Sequence, residues 1–267
     1  MDHKKQHWVP KSYLSSWQDP SSPVNQDPFI WIVSKDGSSR RRKSPKSVFT
    51  ETDFYTIHHP DGSRDLALEH GLAGVESDFC KLRDTVLNSR SGLSAEQRLT
   101  LCLFVAATHA RTRSQRNHWQ RQWHRVLEVA DDIRDSVDRM SPADRRKLPR
   151  GEGGMSGASL SIDDVRTLAK YPMQTTLASR IGQELKILFQ MNLTFLTTED
   201  DIGFVTSDRP CVWFDPEAVN RPTAYRYVGL GFRSVEVTLP ISPHLVALLC
   251  WQPLEPYVKV SIEMLRE

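Results

Sequence analysis

The sequence predicts an α+β fold: a mixed or antiparallel sheet built from N- and C-terminal strands, packed on a central helical bundle. Three observations lead there. Short aromatic and β-branched runs, bracketed by turn-forming residues, stand at both ends of the chain. Apolar residues recur at helical spacing through the middle. The regular strand–helix alternation of a doubly wound sheet is missing. With 267 residues, 39% hydrophobic and 25% charged, the chain has the composition of a globular protein with a core of ordinary size. A single α+β domain over 1–267 is expected, with N-terminal strands in 1–60, helices in 65–190 and C-terminal strands in 192–267.

The opening stretch Gln6-His7-Trp8-Val9-Pro10-Lys11-Ser12-Tyr13-Leu14 is too apolar to float in solvent. A terminus stays ordered only if something ties it down, so this one is expected to pack into the body, with His7 in a defined environment. Phe29-Ile30-Trp31-Ile32-Val33 reads as a strand and Lys35-Asp36-Gly37-Ser38 as the turn after it. Residues 40–46 carry five positive charges in seven positions, which reads as a solvated loop or a phosphate-contacting one. Phe54-Tyr55-Thr56-Ile57 is a second strand, and 58–62 a turn.

Leu66, Leu68, Leu72, Val75, Phe79, Leu82 and Val86 place a helix over 65–90. Ser94-Ala95-Glu96-Gln97 is a capping box that opens the longest expected helix, 94–140, which Ser141-Pro142 stops. A glycine-rich loop at 151–157 follows, then helices after Ser161 and after Tyr171-Pro172. Strands are expected at Leu193-Thr194-Phe195-Leu196-Thr197, Gly203-Phe204-Val205-Thr206, Val212-Trp213-Phe214, Val235-Glu236-Val237-Thr238-Leu239 and Leu245-Val246-Ala247-Leu248-Leu249-Cys250.

A net charge of +2 is too small to imply a polyanionic partner by itself. The four cysteines are far apart and form no C-x-x-C pair, which argues against a zinc knuckle and for buried reduced thiols. Met-Asp-His-Lys-Lys-Gln-His lacks the apolar region of a signal peptide, and no run of about 18 apolar residues exists to span a membrane. A cytoplasmic location and no membrane partner are therefore expected.

Three places could hold chemistry. In the longest helix the apolar stripe passes through Thr108, Thr112 and Gln115, so the helix either leaves the core there or faces a polar cavity. A cavity lined by His109, Arg111, Arg113 and Arg116 would attract an anion. Farther along, basic residues mix with Trp119 and Trp123, a pattern that suits nucleic-acid contacts, although the i, i+4 spacing of the tryptophans favours core anchors beside a solvated face. Glu69 and Glu76 are seven residues apart on the preceding helix and share one face, ready for ion pairing or for a divalent metal. Thr206-Ser207-Asp208-Arg209-Pro210 follows an expected strand, which makes Asp208 either an accessible acid or the cap of an Asx turn.

These pieces together resemble the family called domain of unknown function 4238. The resemblance is carried by Gln6-His7-Trp8-Val9-Pro10 through Tyr13-Leu14, Ile30-Trp31-Ile32-Val33 with Lys35-Asp36, Phe54-Tyr55, Glu69 and Glu76, Arg111-Thr112, Thr206-Ser207-Asp208-Arg209-Pro210 and Leu239-Pro240-Ile241-Ser242-Pro243. Arg113 stands where the family pattern has proline. The resemblance brings no activity. It implies that His7, Glu69, Glu76, Arg111 and Asp208 are the positions to watch.

The function expected from these residues is hydrolysis of a phosphate-containing substrate, with a nuclease as its sharpest form. His7 would be the general acid or base, Asp208 with Glu69 or Glu76 would bind a divalent metal ion or orient His7, and Arg111 and Arg113 would hold the phosphate. The alternative is a non-catalytic module that binds nucleic acid or a protein in a bacterial stress or phage-defence system. A third reading makes His7 and Asp208 mutually satisfied buried groups.

Overall fold

The computed structural model describes residues 5–23, 25–59, 61–148 and 160–261, so the glycine-rich 151–157 lies outside the described residues. The N-terminal part holds short elements: β1 (Lys5–His7), helix α1 (Lys11–Leu14), β2 (Ile30–Val33), β3 (Arg40–Lys43), β4 (Thr50–Thr52), β5 (Ile57–His58) and β6 (Arg64–Asp65). Helices follow: α2 (Ala67–Leu82), α3 (Ala95–Ala110), α4 (Arg113–Asp138), α5 (Pro142–Arg145), α6 (Ile162–Lys170) and α7 (Pro172–Leu188). The C-terminal part is β7 (Asn192–Thr197), β8 (Val212–Phe214), β9 (Glu236–Ser242), β10 (Leu245–Cys250) and β11 (Tyr257–Lys259). The fold is α+β, as the patterning predicts.

The sheet is built differently from the expectation. Its five strands run β11-β7-β10-β9-β8 and come from the C-terminal part alone. The N-terminal strands instead form separate two-stranded ribbons, β1 with β4, β2 with β3 and β5 with β6. Burial explains the texture of the sheet. Central β10 is buried along its whole length and reads as a continuous apolar run, Leu-Val-Ala-Leu-Leu-Cys. Its neighbour β9 alternates, burying Val237, Leu239 and Ile241. Pro240 fits within β9 because β8 pairs only as far as Thr238. Its carbonyl accepts a hydrogen bond from the Tyr13 hydroxyl at 2.7 Å, on the side away from β10.

The chain divides into two compact units. One takes the residues up to Thr112 and those from Ala178 onwards, and the other is Arg113–Leu177. In the first unit α2 packs on α3 through Phe79 and Phe104, whose rings stack at 3.6 Å and 3°. The capping box predicted at Ser94 and Gln97 is present in full. In the second unit α4 packs against α6, and α4 has no buried residue, so Trp119 and Trp123 are half-buried and not core anchors.

The long helix expected over 94–140 is two helices, separated at Arg111-Thr112. The expected strand 203–206 is irregular chain held from both sides. Phe204 donates its N–H to the Pro243 carbonyl at 2.6 Å, and the Trp17 indole donates to the Phe204 carbonyl at 2.9 Å. Gly203 makes this approach possible. Its φ is +64°, and a Cβ there would overlap the Pro243 carbonyl oxygen.

Gly203→Ala should therefore cost at least about 2 kcal/mol, from left-handed strain and backbone overlap together. Gly74→Ala, in α2 with nothing near the added methyl, should gain about 0.5–1 kcal/mol from helix propensity. Thermal unfolding of the two variants beside the parent should show Tm shifts of opposite sign.

Candidate functional site

Arg111 is the largest fully buried side chain among the described residues, 1% exposed. It ends α3 with φ −90° and ψ 4°, outside helical geometry. Its Nη1 donates to Glu76 Oε1 at 2.7 Å. Its Nε and Nη2 are buried and have no hydrogen-bond partner. Nε and Nη2 form the side edge of the guanidinium, the edge that grips a carboxylate or phosphate through two parallel bonds.

His7 arrives from β1. The strand is fixed by pairing with β4, where His7 stands opposite Thr50, and the Trp8 N–H bonds the Phe49 carbonyl at 3.0 Å. Buried Gln6 locks the strand to the chain beyond β4. Its amide donates to Thr56 Oγ1 at 2.8 Å and accepts from the Tyr55 N–H at 2.6 Å. The Tyr55 hydroxyl reaches the His7 carbonyl at 3.3 Å and the Arg111 carbonyl at 3.4 Å, tying the N-terminal strand to the end of α3. The expectation that the start of the chain packs into the body holds for residues 6–14, which include the fully buried Gln6, Val9 and Tyr13.

The His7 ring lies near the Pro45 backbone, and its Nε2 is buried without a partner. Burial pushes the His7 pKa below 6.5, outweighing the Pro45 carbonyl and Glu76, which pull it up; Lys11 and Arg111 add to the lowering. Glu69 moves the other way. Burial raises its pKa, the charge of Glu76 adds to this, and Arg111 opposes it. Glu76 and Arg111 thus act on both His7 and Glu69, and the four residues share one electrostatic neighbourhood.

The remaining candidates lie elsewhere. His109 is two residues from Arg111 on α3, so the two side chains leave the helix in different directions. His109 Nδ1 meets Glu184 Oε2 at 3.0 Å, and its ring stacks on Trp213 at 3.8 Å. Arg113 is exposed at the start of α4, in the second unit. Asp208 is exposed on a bend and makes no hydrogen bond or ion pair among the described residues. Ser207 caps that turn in place of Asp208, its Oγ accepting the Arg209 N–H at 3.0 Å. A buried His7–Asp208 pair is therefore not formed.

No group of three or more His, Cys, Asp or Glu side chains suited to a metal occurs among the described residues. The divalent ion expected from the sequence has no ligand set there. The cysteines are all free, with Cys80 half-buried and the other three buried, and burial raises Cys102 to about 11, so that thiol is unreactive. No described helix is long and apolar enough to cross a membrane. Sequence reasoning missed Tyr55 and Gln6 as site supports. Both lie within the motifs, but a motif does not say which backbone groups its side chains bond.

The motif residues fall into two groups. Gln6, His7, Tyr55, Glu76 and Arg111 are joined around the end of α3: Glu76 bonds the guanidinium, Tyr55 reaches the His7 and Arg111 carbonyls, and Gln6 bonds the Tyr55 N–H. Tyr13, Thr206 and Pro240 meet at the Tyr13 hydroxyl, 2.8 Å from Thr206 Oγ1 and 2.7 Å from the Pro240 carbonyl. A family model described as protein of unknown function matches residues 5–257. The chain belongs to the DUF4238 family. No curated protein and no solved structure matches it. For this DUF4238 protein the site must therefore be argued from its own geometry.

Two outcomes follow. The depressed His7 pKa contributes stability that is present above pH 6.5 and lost as pH falls through the folded-state value. The His7 ring protons should titrate below pH 6.5 by NMR, and the loss of Tm between pH 7.5 and 5.5 should be smaller in His7→Gln. Glu76→Gln should cost up to about 3 kcal/mol, the low end for breaking a buried pair, because 24% of the Glu76 side chain stays exposed. Denaturant unfolding should show Arg111→Met recovering part of that loss in the Glu76→Gln background, since it removes the stranded charge.

Proposed function

We propose that this DUF4238 protein is a hydrolase of phosphodiesters, with the linkage of nucleic acids as its substrate chemistry. One observation carries the reading: a buried arginine with two uncommitted N–H donors shares its electrostatic neighbourhood with a histidine whose pKa is lowered and a carboxyl whose pKa is raised. A lowered histidine is suited to accept a proton and a raised carboxyl to deliver one.

In the proposed reaction the phosphoryl oxygens accept from Arg111 Nε–H and Nη2–H. The His7 Nε2 lone pair takes a proton from the attacking water as its oxygen bonds to phosphorus. The bond to the leaving oxygen breaks, and Glu69, whose pKa is raised by burial and by Glu76, gives that oxygen its proton. The burial of the arginine strengthens its hold on charge that builds on the phosphoryl oxygens, because little water competes there. Glu76 keeps the guanidinium oriented. Asp208, His109 and Arg113 have no step in this scheme.

A second reading, a non-catalytic module that binds nucleic acid, is favoured by the four exposed cations of β3. Turnover separates the two. Purified full-length protein would be incubated with bis-p-nitrophenyl phosphate, an RNA oligonucleotide and a DNA oligonucleotide, each with EDTA and with magnesium. His7→Ala is expected to lower kcat by about 10²–10⁴-fold with KM little changed. Glu69→Gln should remove the alkaline limb of the pH–rate profile. No turnover of any of the three substrates, or unchanged rates in both variants, overturns the reading.

A further inference from the structure

The segment 40–46, read from the sequence as a loop, forms β3 and the turn that follows it. In the β2–β3 ribbon Trp31 stands opposite Arg42 and Val33 opposite Arg40. Alternation places these four side chains on one face, with Ile30, Ile32, Arg41 and Lys43 on the other. Ile30 is buried, whereas Trp31 is 39% exposed and Val33 58%. The outward face is therefore the one with tryptophan and two arginines.

Those arginines are held in place. Arg40 lies over the Trp31 ring at 4.5 Å. Arg42 lies 4.9 Å from the Trp31 ring and 4.8 Å from the Phe29 ring. The indole is fixed in turn by its Nε1–H bond to Asp19 at 2.6 Å. None of the four cations of β3 has a carboxylate at ion-pair distance among the described residues, unlike nearby Lys46, which pairs with Asp27 at 2.8 Å. Guanidinium groups laid on aromatic rings keep their edge N–H groups free for phosphate oxygens.

We infer that the outward face of the β2–β3 ribbon binds single-stranded nucleic acid, with Arg40 and Arg42 on successive phosphates and Trp31 as the ring that holds both guanidinium groups in place. Two residues apart on one strand, the arginines are about 6.8 Å from each other along the backbone, which spreads their charge along an extended polymer. The ribbon also leads to the site. Lys43 is two residues from Pro45, a separation of at most about 7 Å, and the Pro45 backbone acts on the His7 pKa. The inference rests on the reading above for the fate of the bound strand, and not for its binding.

The test is fluorescence polarisation with labelled 12-nucleotide oligo(dT) and oligo(U), across a salt series. The parent protein should bind both more tightly than it binds a DNA duplex of the same length. Trp31→Ala should weaken binding tenfold or more. Arg40→Ala/Arg42→Ala should weaken it further and reduce the slope of log K against log salt by about 1.4, two contacts at about 0.7 each. Thermal unfolding at the parent Tm shows that the variants are folded. His7→Ala should retain the parent Kd, which separates failure of the ribbon from failure of the catalytic reading. An affinity unchanged by the double substitution overturns the inference. So does binding to phosphatidylserine vesicles without binding to either oligonucleotide.

Discussion

The buried guanidinium of Arg111 is the constraint around which the first unit is arranged. A cation taken out of water is costly unless it is paired and hydrogen-bonded, and replacing it with an apolar residue would be the simpler solution for packing alone. Here the chain retains it. Helix α3 is apolar and largely buried from Leu101 to Ala107, then turns polar and stops where the arginine enters the interior. Glu76 supplies the counter-charge from α2 at 2.7 Å. The N-terminal strand reaches the same place through the Tyr55 hydroxyl, which bonds the carbonyl of Arg111 on one side and that of His7 on the other.

The family motifs gain meaning from this arrangement. Residues near position 10, position 206 and position 240 are far apart in sequence, yet Tyr13, Thr206 and Pro240 meet at one hydroxyl. That contact anchors the opening of the chain to the C-terminal sheet. With β1 then held to β4, His7 is presented from a fixed backbone and not from a loose end. Tyr13 is buried and its own ionisation is suppressed, so it serves as a hydrogen-bonding post. The two motif groups divide the labour: one fastens the terminus, the other uses what the fastened terminus carries. Phe49 and Asp53, with φ near 55° at both ends of β4, show that the backbone beside His7 is held in conformations that the surrounding contacts must support.

Periodicity made some of this legible before any coordinates. The continuous run of β10 and the alternation of β9 are direct consequences of two-sided and one-sided burial, and the capping box at Ser94 satisfies helix donors locally. Pairing between strands was not legible. A short strand carries no label for its partner, so nothing in Ile30–Val33 or Thr50–Thr52 says that they close small ribbons and stay out of the large sheet. The polar break near Thr108 was legible as an anomaly, but which side chain turned inward was not. Arg111 and His109 differ by about 200° around the helix, and only tertiary packing decides that one meets Glu76 and the other Glu184. Asp208 looked like an acid placed at a strand end because Phe204-Val205 has strand composition. The tight fit of Gly203 against Pro243 makes that segment irregular instead.

Whether the Arg111 cluster is a site or only a packed polar core can be argued from within the same chain. Arg83 is also buried, at 8% exposure. Its Nε and Nη2 bond the Asp84 carboxylate, and its Nη1 bonds the Ser12 carbonyl and the Ser16 hydroxyl at 3.0 and 3.1 Å. Arg83 thus uses every edge of its guanidinium. Arg111 is more deeply buried and has one full edge uncommitted, in the same electrostatic neighbourhood as a histidine whose Nε2 is buried without a partner. Polar groups left unpaired in the interior oppose folding. An oxyanion at that edge would supply the acceptor that the guanidinium lacks.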